Sequence, residues 1–271
     1  MIDQPPRSPD YVQSLARGLA VIRAFDNDHR ELGLSEVARA SGLTRAAARR
    51  FLLTLVKLGY VNFSDGRFSL RPRVLELGYA YLSSLSLPEV AQPHMEALVA
   101  QVNESSSISV LDDTDVVYVV RVPTRRIMSI TLSVGTRLPA YATSMGRVLL
   151  AGLPTEELEL RLSRIDVRPL TARTVADEQA LRKSLDSVRK QGFAAVDQEL
   201  EEGLRSIAVP IRGADGAVLA ALNASVHASR ASMTDLRREF LPAALEAATA
   251  IEEDLRSSPG SRAASFAPPG S

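Results

Sequence analysis

Apolar positions at the start of the chain recur first with helical spacing. From Val12 to Phe25 they lie three or four residues apart, which predicts an amphipathic helix with one apolar face. A short helix is predicted around Leu34–Ala38, with Ser35 as its expected N-cap. Gly42 is expected to end it, because glycine readily takes the left-handed backbone conformation.

A third helix and a hairpin follow. Thr44 is expected to cap a helix that ends at Gly59. The inward stripe of this helix is predicted to be Ala48, Phe51, Leu52 and Leu55. Between Tyr60 and Leu70 apolar and polar residues alternate around the turn 64–67, which predicts a β-hairpin. Helix, short helix, tight turn, helix and hairpin are together typical of a winged helix-turn-helix.

The rest of the chain mixes helical and strand-like patterns. Helices are predicted at 72–86, Pro88–Asn103, Ser144–Ala151, Thr155–Arg164, Asp177–Gln191 and Thr234–Leu255. Strands are predicted at Ser107–Leu111, Val116–Val122, Ile127–Val134, Phe193–Asp197, Ile207–Ile211 and Val218–Val226. Strands joined by short turns, with helices at both ends, predict an antiparallel α+β domain.

These patterns predict five segments along the chain. They are a disordered N-terminus (1–10), a winged helix-turn-helix (11–71), a linker helix (72–87), an α+β domain (88–256) and a disordered tail (257–271). The wide apolar face of the linker helix suggests packing against a second subunit, so a homodimer or tetramer is expected.

Composition narrows the class of protein. Hydrophobic residues make up 45% and charged residues 24%, as in soluble globular proteins. No apolar run approaches the ~18 residues of a membrane span, and the proline-rich start does not resemble a signal peptide. The chain has no cysteine, which excludes disulfides and thiolate metal sites and fits a reducing compartment. A cytoplasmic protein without membrane contact is expected.

Charge and motif together predict DNA binding by the N-terminal region. Residues 1–86 carry 12 Lys+Arg against 8 Asp+Glu, and the remainder carries 20 against 24. The third helix would lie in the major groove, where arginine can bridge guanine O6 and N7 or hold a phosphate. The candidate DNA-binding residues are Thr44, Arg45, Ala46, Arg49 and Arg50 on that helix, with Arg17 and Arg67 as phosphate contacts. The alternative is a solvated arginine face without function.

Three stretches of sequence resemble the IclR (isocitrate lyase regulator) family. They are residues 14–25, the pair Leu53–Leu55 and Leu58–Val61, and Leu138–Arg147. The resemblance extends over residues 11–255 and is closest to the PcaR/PcaU/PobR-type subgroup, which regulates aromatic-acid catabolism, including the β-ketoadipate pathway. It implies a transcription regulator, activator or repressor, with a GAF-like effector-binding domain. Ala46 and Ala47 stand where many members carry Ser or Thr, so the operator sequence is not transferred.

The resemblance also implies an effector pocket for a small organic acid such as protocatechuate, 4-hydroxybenzoate or β-ketoadipate. Thr143, Ser144, Met145 and Gly146 precede or begin a helix, whose free backbone amides could hold a carboxylate. The family pattern would complete the pocket with Asp197, Ser206, Ile207, Asn223 and Ser225. Arg137, Arg147 and Arg205 are equally plausible cations for the acid, and Ser206 or Asn223 could instead be ordinary strand residues.

Two other classes of protein remain as alternatives. An enzyme is disfavoured: the three histidines lie far apart, and neither zinc spacing, a nucleotide-binding glycine loop nor a nucleophile elbow is present. No cofactor, metal site or catalytic residue is therefore predicted. The second alternative is a winged-helix module for protein contacts, with a vestigial pocket that senses nothing.

Overall fold

The computed structural model describes residues 11–26, 29–78, 87–124 and 132–257, and the chain forms two compact units that divide between Ser84 and Leu85. The predicted disordered ends (1–10 and 258–271) lie outside the described residues. None of the helices searched, which are those of the described residues, is long and apolar enough to cross a membrane.

Up to Leu70, the described residues of the N-terminal unit form three helices and three strands. In chain order they are α1 (Gln13–Ile22), β1 (Glu31–Gly33), α2 (Leu34–Ala40), α3 (Arg45–Leu58), β2 (Val61–Ser64) and β3 (Arg67–Leu70). The core between them is formed by Val21, Phe25, Leu32, Val37, Leu52, Leu55, Val61 and Phe68, with Ala24 at its edge. This order confirms the predicted winged helix-turn-helix.

The predicted limits of α3 are confirmed in atomic detail. The Thr44 hydroxyl accepts a hydrogen bond from the Ala47 amide at 3.2 Å, and Gly59 ends the helix with φ of 81°. The N-cap predicted for α2 was wrong. This helix starts at Leu34, and the Glu36 carboxylate accepts the Gly33 amide at 2.7 Å, so Ser35 lies inside the first turn.

The hairpin has the predicted turn, and a third strand extends its sheet. Asp65 and Gly66 both have positive φ (53° and 78°), as a tight primed turn requires. Residues 31–33 pair antiparallel with β3, so the sheet order is β1-β3-β2. Three residues are too short for a periodicity signal, so the sequence pattern does not predict this strand.

The apolar face that the spacing suggested for α1 is buried only at its C-terminal end. Val12, Leu15 and Leu19 are exposed by 61%, 64% and 45%, whereas Val21 and Phe25 enter the core. Helical periodicity identifies the apolar face of a helix, but it does not show whether the rest of the same unit packs against that face.

The predicted linker helix is only partly described. Pro72–Leu75 forms a 3₁₀ turn, residues 76–78 are helical, and 79–86 lie outside the described residues. Pro72 is the first residue of this turn. Because proline has no backbone N–H, it cannot continue a preceding helix but fits the start of a new helical segment.

The C-terminal unit is built on an antiparallel sheet. Its described strands are β4 (Ser105–Asp112), β5 (Asp115–Val122), β6 (Arg137–Pro139), β7 (Ala194–Asp197), β8 (Leu204–Arg212) and β9 (Val218–His227). They are ordered β6-β5-β4-β9-β8-β7, and every neighbouring pair is antiparallel. The predicted strand Ile127–Val134 lies mostly outside the described residues. Its described end, 132–134, is not a strand, and pairing with β5 begins at Arg137 instead.

Helices pack on both faces of this sheet. They are α4 (Leu87–Val102), α5 (Ser144–Gly152), α6 (Thr155–Leu162), α7 (Glu178–Gln191) and α8 (Leu241–Ser257), the last preceded by a turn at Met233–Asp235 and a π-helical turn at Leu236–Phe240. Helices α4 and α8 contact each other and one face of the sheet, and α5, with α7 against it, covers the other. The fold class is therefore the predicted α+β architecture.

Candidate nucleic-acid interface and ligand cavity

The outer face of α3 is rich in unpaired cations. Arg45, Ala46, Arg49 and Arg50 are exposed, while Ala48, Leu52 and Leu55 are buried on the opposite side. The three arginine side chains form no hydrogen bond or ion pair with any residue that the structure describes. Their guanidinium groups are therefore available to an external partner.

The two predicted phosphate contacts differ from each other. Arg17 is exposed on α1. Arg67, on β3, donates to the Glu31 carbonyl at 2.6 Å and lies 3.5 Å from the Glu36 carboxylate. Its guanidinium thus connects the hairpin to β1 and α2, a structural role that the sequence pattern does not indicate.

The C-terminal unit contains a cavity between the start of α5 and one face of the sheet. Its mouth opens to solvent, and the space inside is about 30 Å³, which is room for about two water molecules. Its lining residues are Tyr118, Arg121, Leu132, Ala142, Thr143, Ser144, Met145, Val196, Leu200, Glu201, Leu204, Ser206, Asn223 and Ser225.

The start of α5 gives the cavity a polar end. The Thr143 hydroxyl accepts the Gly146 amide at 3.0 Å and caps the helix. The Ser144 hydroxyl is buried and has no hydrogen-bond partner among the residues that the structure describes. A buried unsatisfied hydroxyl costs about 1–3 kcal/mol, so this position is poised to bind a polar group. The Ser109 hydroxyl donates to the Met145 sulfur at 3.2 Å, which fixes that side chain in the wall.

A hydrogen-bond network forms the sheet side of the cavity. The Asn223 side chain accepts the Ser107 amide at 3.0 Å and donates to the Ser225 hydroxyl at 2.9 Å. Ser206 lies opposite Ser225 on the next strand. Because side chains alternate along a strand, Asn223 and Ser225 face the cavity together.

Arg121 is the cation of this cavity among the described residues, and sequence reasoning missed it. The pairing of β4 with β5 skips Val119, since Ile108 lies opposite Val120 and Ser109 opposite Tyr118. This bulge brings Tyr118 and Arg121, three positions apart, onto the same face, where simple alternation would separate them. The signal available in the sequence was a single arginine in the otherwise apolar run 116–122.

Burial sets the ionisation of these two side chains. Desolvation raises the pKa of Tyr118 to about 12, so its phenol is neutral at physiological pH. Desolvation also lowers the pKa of Arg121, and the nearby Tyr118 opposes this shift. Arginine titrates so far above pH 7 that it keeps its charge in any case.

Three residues predicted for the pocket do not line it. Ile207 points to the opposite face of the sheet, where it packs with Ala224 and Phe240, because it follows Ser206 by one position. A Cβ at Gly146 would lie 2.2 Å from the Ala140 carbonyl oxygen, so this glycine permits close helix packing. Asp197 instead binds Arg205 at 2.6 Å and Arg173 at 2.5 Å.

The three arginines considered as the effector's cation also point elsewhere. Arg137 pairs with Asp112 and Asp115 at the surface, and Arg205 with Asp197. Arg147 is buried and makes a two-pronged ion pair with Glu199, at 2.8 and 2.5 Å. No group of His, Asp or Glu able to hold a metal ion was found in the described part of the chain.

Comparison with known protein families identifies the family of this chain. Residues 14–65 match the model of the IclR helix-turn-helix domain, and residues 79–253 match that of the bacterial transcriptional regulator IclR C-terminal domain. The chain belongs to the IclR family. It is therefore a DNA-binding transcription regulator and not an enzyme, as the sequence predicted.

Several relatives of this IclR-family chain are named as transcription regulators. It is 49% identical to the Pca regulon regulatory protein of Pseudomonas putida over 88% of this chain and 82% of the relative. It is 39% identical to the p-hydroxybenzoate hydroxylase transcriptional activator of Acinetobacter baylyi, over 87% and 89%. The crystal structure of an IclR homolog from Microbacterium hydrocarbonoxydans, complexed with 4-hydroxybenzoate, is 32% identical with a TM-score of 0.81, over 90% of this chain and all of that one.

Proposed function

We propose that this regulator senses a small aromatic acid in the cavity beside α5 and that occupancy changes its affinity for operator DNA. The observation that carries the proposal is the cavity itself: it has apolar walls, a buried hydroxyl at Ser144 without a partner among the described residues, and a cation at Arg121. The relatives named for Pca and p-hydroxybenzoate regulation, and the relative complexed with 4-hydroxybenzoate, support an aromatic-acid ligand.

The DNA contacts are proposed for the outer face of α3. Arg45, Arg49 and Arg50 would read base edges or hold phosphates in the major groove, with Thr44 and Ala46 at the point of closest approach. Arg17 and Arg67 would contact phosphates at either side.

Control of DNA binding requires two states with different ligand affinities. We propose a homodimer or tetramer whose two DNA-binding heads change their spacing through the segment 72–87. On this proposal the heads correspond to 11–71 and the effector-binding domains to 88–256. The regulator is proposed to act in the cytoplasm.

A thermal-shift panel tests the effector proposal. Full-length protein is heated with protocatechuate, 4-hydroxybenzoate or β-ketoadipate, and operator affinity is then measured by fluorescence anisotropy with a fragment from its own upstream region. Ligand at 100 times its Kd should add about 2.7 kcal/mol to the free energy of unfolding. A shift with an acid that also changes operator affinity is the expected result; an acid that stabilises the protein without changing operator affinity would contradict the proposed control.

A further inference from the structure

The cation of the cavity lacks a carboxylate partner within the structure. Arg121 is half-buried and donates one hydrogen bond, to the Ser107 hydroxyl at 3.3 Å. It forms no ion pair with any carboxylate in the described ranges, although Arg137, Arg147 and Arg205 in the same unit all do. A guanidinium that has lost part of its water without gaining a counter-ion is an unfavourable arrangement, which a bound carboxylate would relieve.

Two ionisable side chains besides Arg121 line the cavity, Tyr118 and Glu201. Tyr118, the nearest ionisable neighbour on the same strand, stays neutral because burial raises its pKa to about 12. The bulge at Val119 turns Arg121 toward the cavity, and Ser107 steadies its guanidinium from the adjoining strand.

The α5 end of the cavity offers hydrogen-bonding groups to a ligand. Ser144 presents a buried hydroxyl without a partner, and the amides of Ser144 and Met145 begin the helix, where no preceding turn accepts them. Apolar side chains of Leu132, Met145, Val196, Leu200 and Leu204 line the same cavity and would cover the body of the ligand.

We infer that Arg121 pairs with the carboxylate of the effector and that the Ser144 end receives a second, uncharged hydrogen-bonding group of the same molecule. The ligand class that fits is an aromatic monocarboxylate carrying a ring hydroxyl. This inference rests on the proposed function and adds the orientation of the ligand and the residue that selects an acid.

A thermodynamic cycle that combines a change in the protein with a change in the ligand tests this inference. Isothermal titration calorimetry on full-length protein compares 4-hydroxybenzoate with 4-hydroxybenzamide, and protocatechuate with its amide. The wild type is expected to prefer the acid by about tenfold to a hundredfold, the usual worth of a charged hydrogen bond. In Arg121→Gln this preference should fall to about twofold or less, while amide affinity changes little.

Arg137→Gln is the matched control, since it removes the same charge from the surface pair with Asp112 and should keep the wild-type preference. A preference retained in Arg121→Gln would overturn the inference and leave the proposed function intact. If the wild type binds neither acid and no acid of the panel shifts its melting, the proposed function itself fails. Ser144→Ala adds a second cycle: it should reduce the preference for 4-hydroxybenzoate over benzoate, and an unchanged preference would overturn the assignment of that end.

Discussion

The arginines of α3 and those of the C-terminal unit are used in opposite ways. On α3, Arg45, Arg49 and Arg50 are exposed and have no side-chain partner among the described residues. In the C-terminal unit, Arg137, Arg147 and Arg205 are held by carboxylates. The α3 arginines are therefore available to an external partner, whereas these three arginines of the C-terminal unit serve internal structure. Arg121 belongs to the second region but has no carboxylate partner among the described residues.

The largest effect is expected where an arginine is buried and paired. In Arg147→Met the Glu199 carboxylate, only 12% exposed, loses its bidentate partner and stays buried. Breaking such a pair costs about 3–5 kcal/mol in the free energy of unfolding. Urea denaturation measures the loss, and the double variant Arg147→Met, Glu199→Leu should recover most of it. A loss below about 1 kcal/mol would show that the pair is not a structural element.

Next in size is the loss of an exposed arginine on α3. Arg49→Ala should weaken operator binding by about 1–3 kcal/mol, and leave the free energy of unfolding within about 0.5 kcal/mol of wild type. Fluorescence anisotropy with operator DNA at several salt concentrations measures it. Arg164→Ala, which removes a surface pair with Asp113, is the control and should bind DNA normally. Equal effects of both variants would indicate general charge loss rather than a specific contact.

Arg73 represents an intermediate case between the two groups of arginines. Its guanidinium donates to the Leu58 carbonyl at 3.0 Å and lies 5.4 Å from the centre of the Tyr60 ring, so it closes the end of α3. Because the side chain is about half exposed, Arg73→Ala should cost only about 1 kcal/mol of stability. Thermal melting measures this, with Arg71→Ala as the control; an equal loss in both would refute the capping role.

Ser144→Ala should separate stability from ligand binding. Removing an unsatisfied buried hydroxyl is expected to leave the ligand-free protein as stable as wild type or up to about 1 kcal/mol more stable. The same variant should bind the effector more weakly. Differential scanning calorimetry with and without 4-hydroxybenzoate measures both, and a less stable ligand-free variant would mean that the hydroxyl has a structural partner.

The smallest effect concerns acid stability. Hydrogen bonding by Arg205 holds the pKa of Asp197 below its ordinary value. A lowered folded-state pKa gives a stabilising contribution that is present above the unfolded pKa of about 3.9 and is lost as pH falls through the folded value. Asp197→Asn should therefore flatten the pH dependence of stability below about pH 4. An unchanged acid limb in urea titrations would contradict this role.

Local patterns were enough to predict the DNA-binding unit. Caps, turns and periodicity act over a few residues, so Thr44, Gly59 and the hairpin turn at 64–67 were identified from the sequence. The face of α1 was not, since only the packed core shows that Val21 and Phe25 enter it while Leu15 remains exposed.

The cavity depended on pairings between distant strands. The sequence placed Ser144 at the start of a helix and put Asn223 and Ser225 on one strand face, because both follow from local geometry. Ile207 was predicted to line the cavity but lies on the opposite face of the sheet. Side chains alternate along a strand, and the packing of the strand decides which set faces the cavity. Arg121 required the bulge opposite Ser109, a feature of how two strands pair rather than of either strand alone. The sequence by itself therefore determined most of the elements and the family, and the tertiary structure decided which arginine faces the cavity.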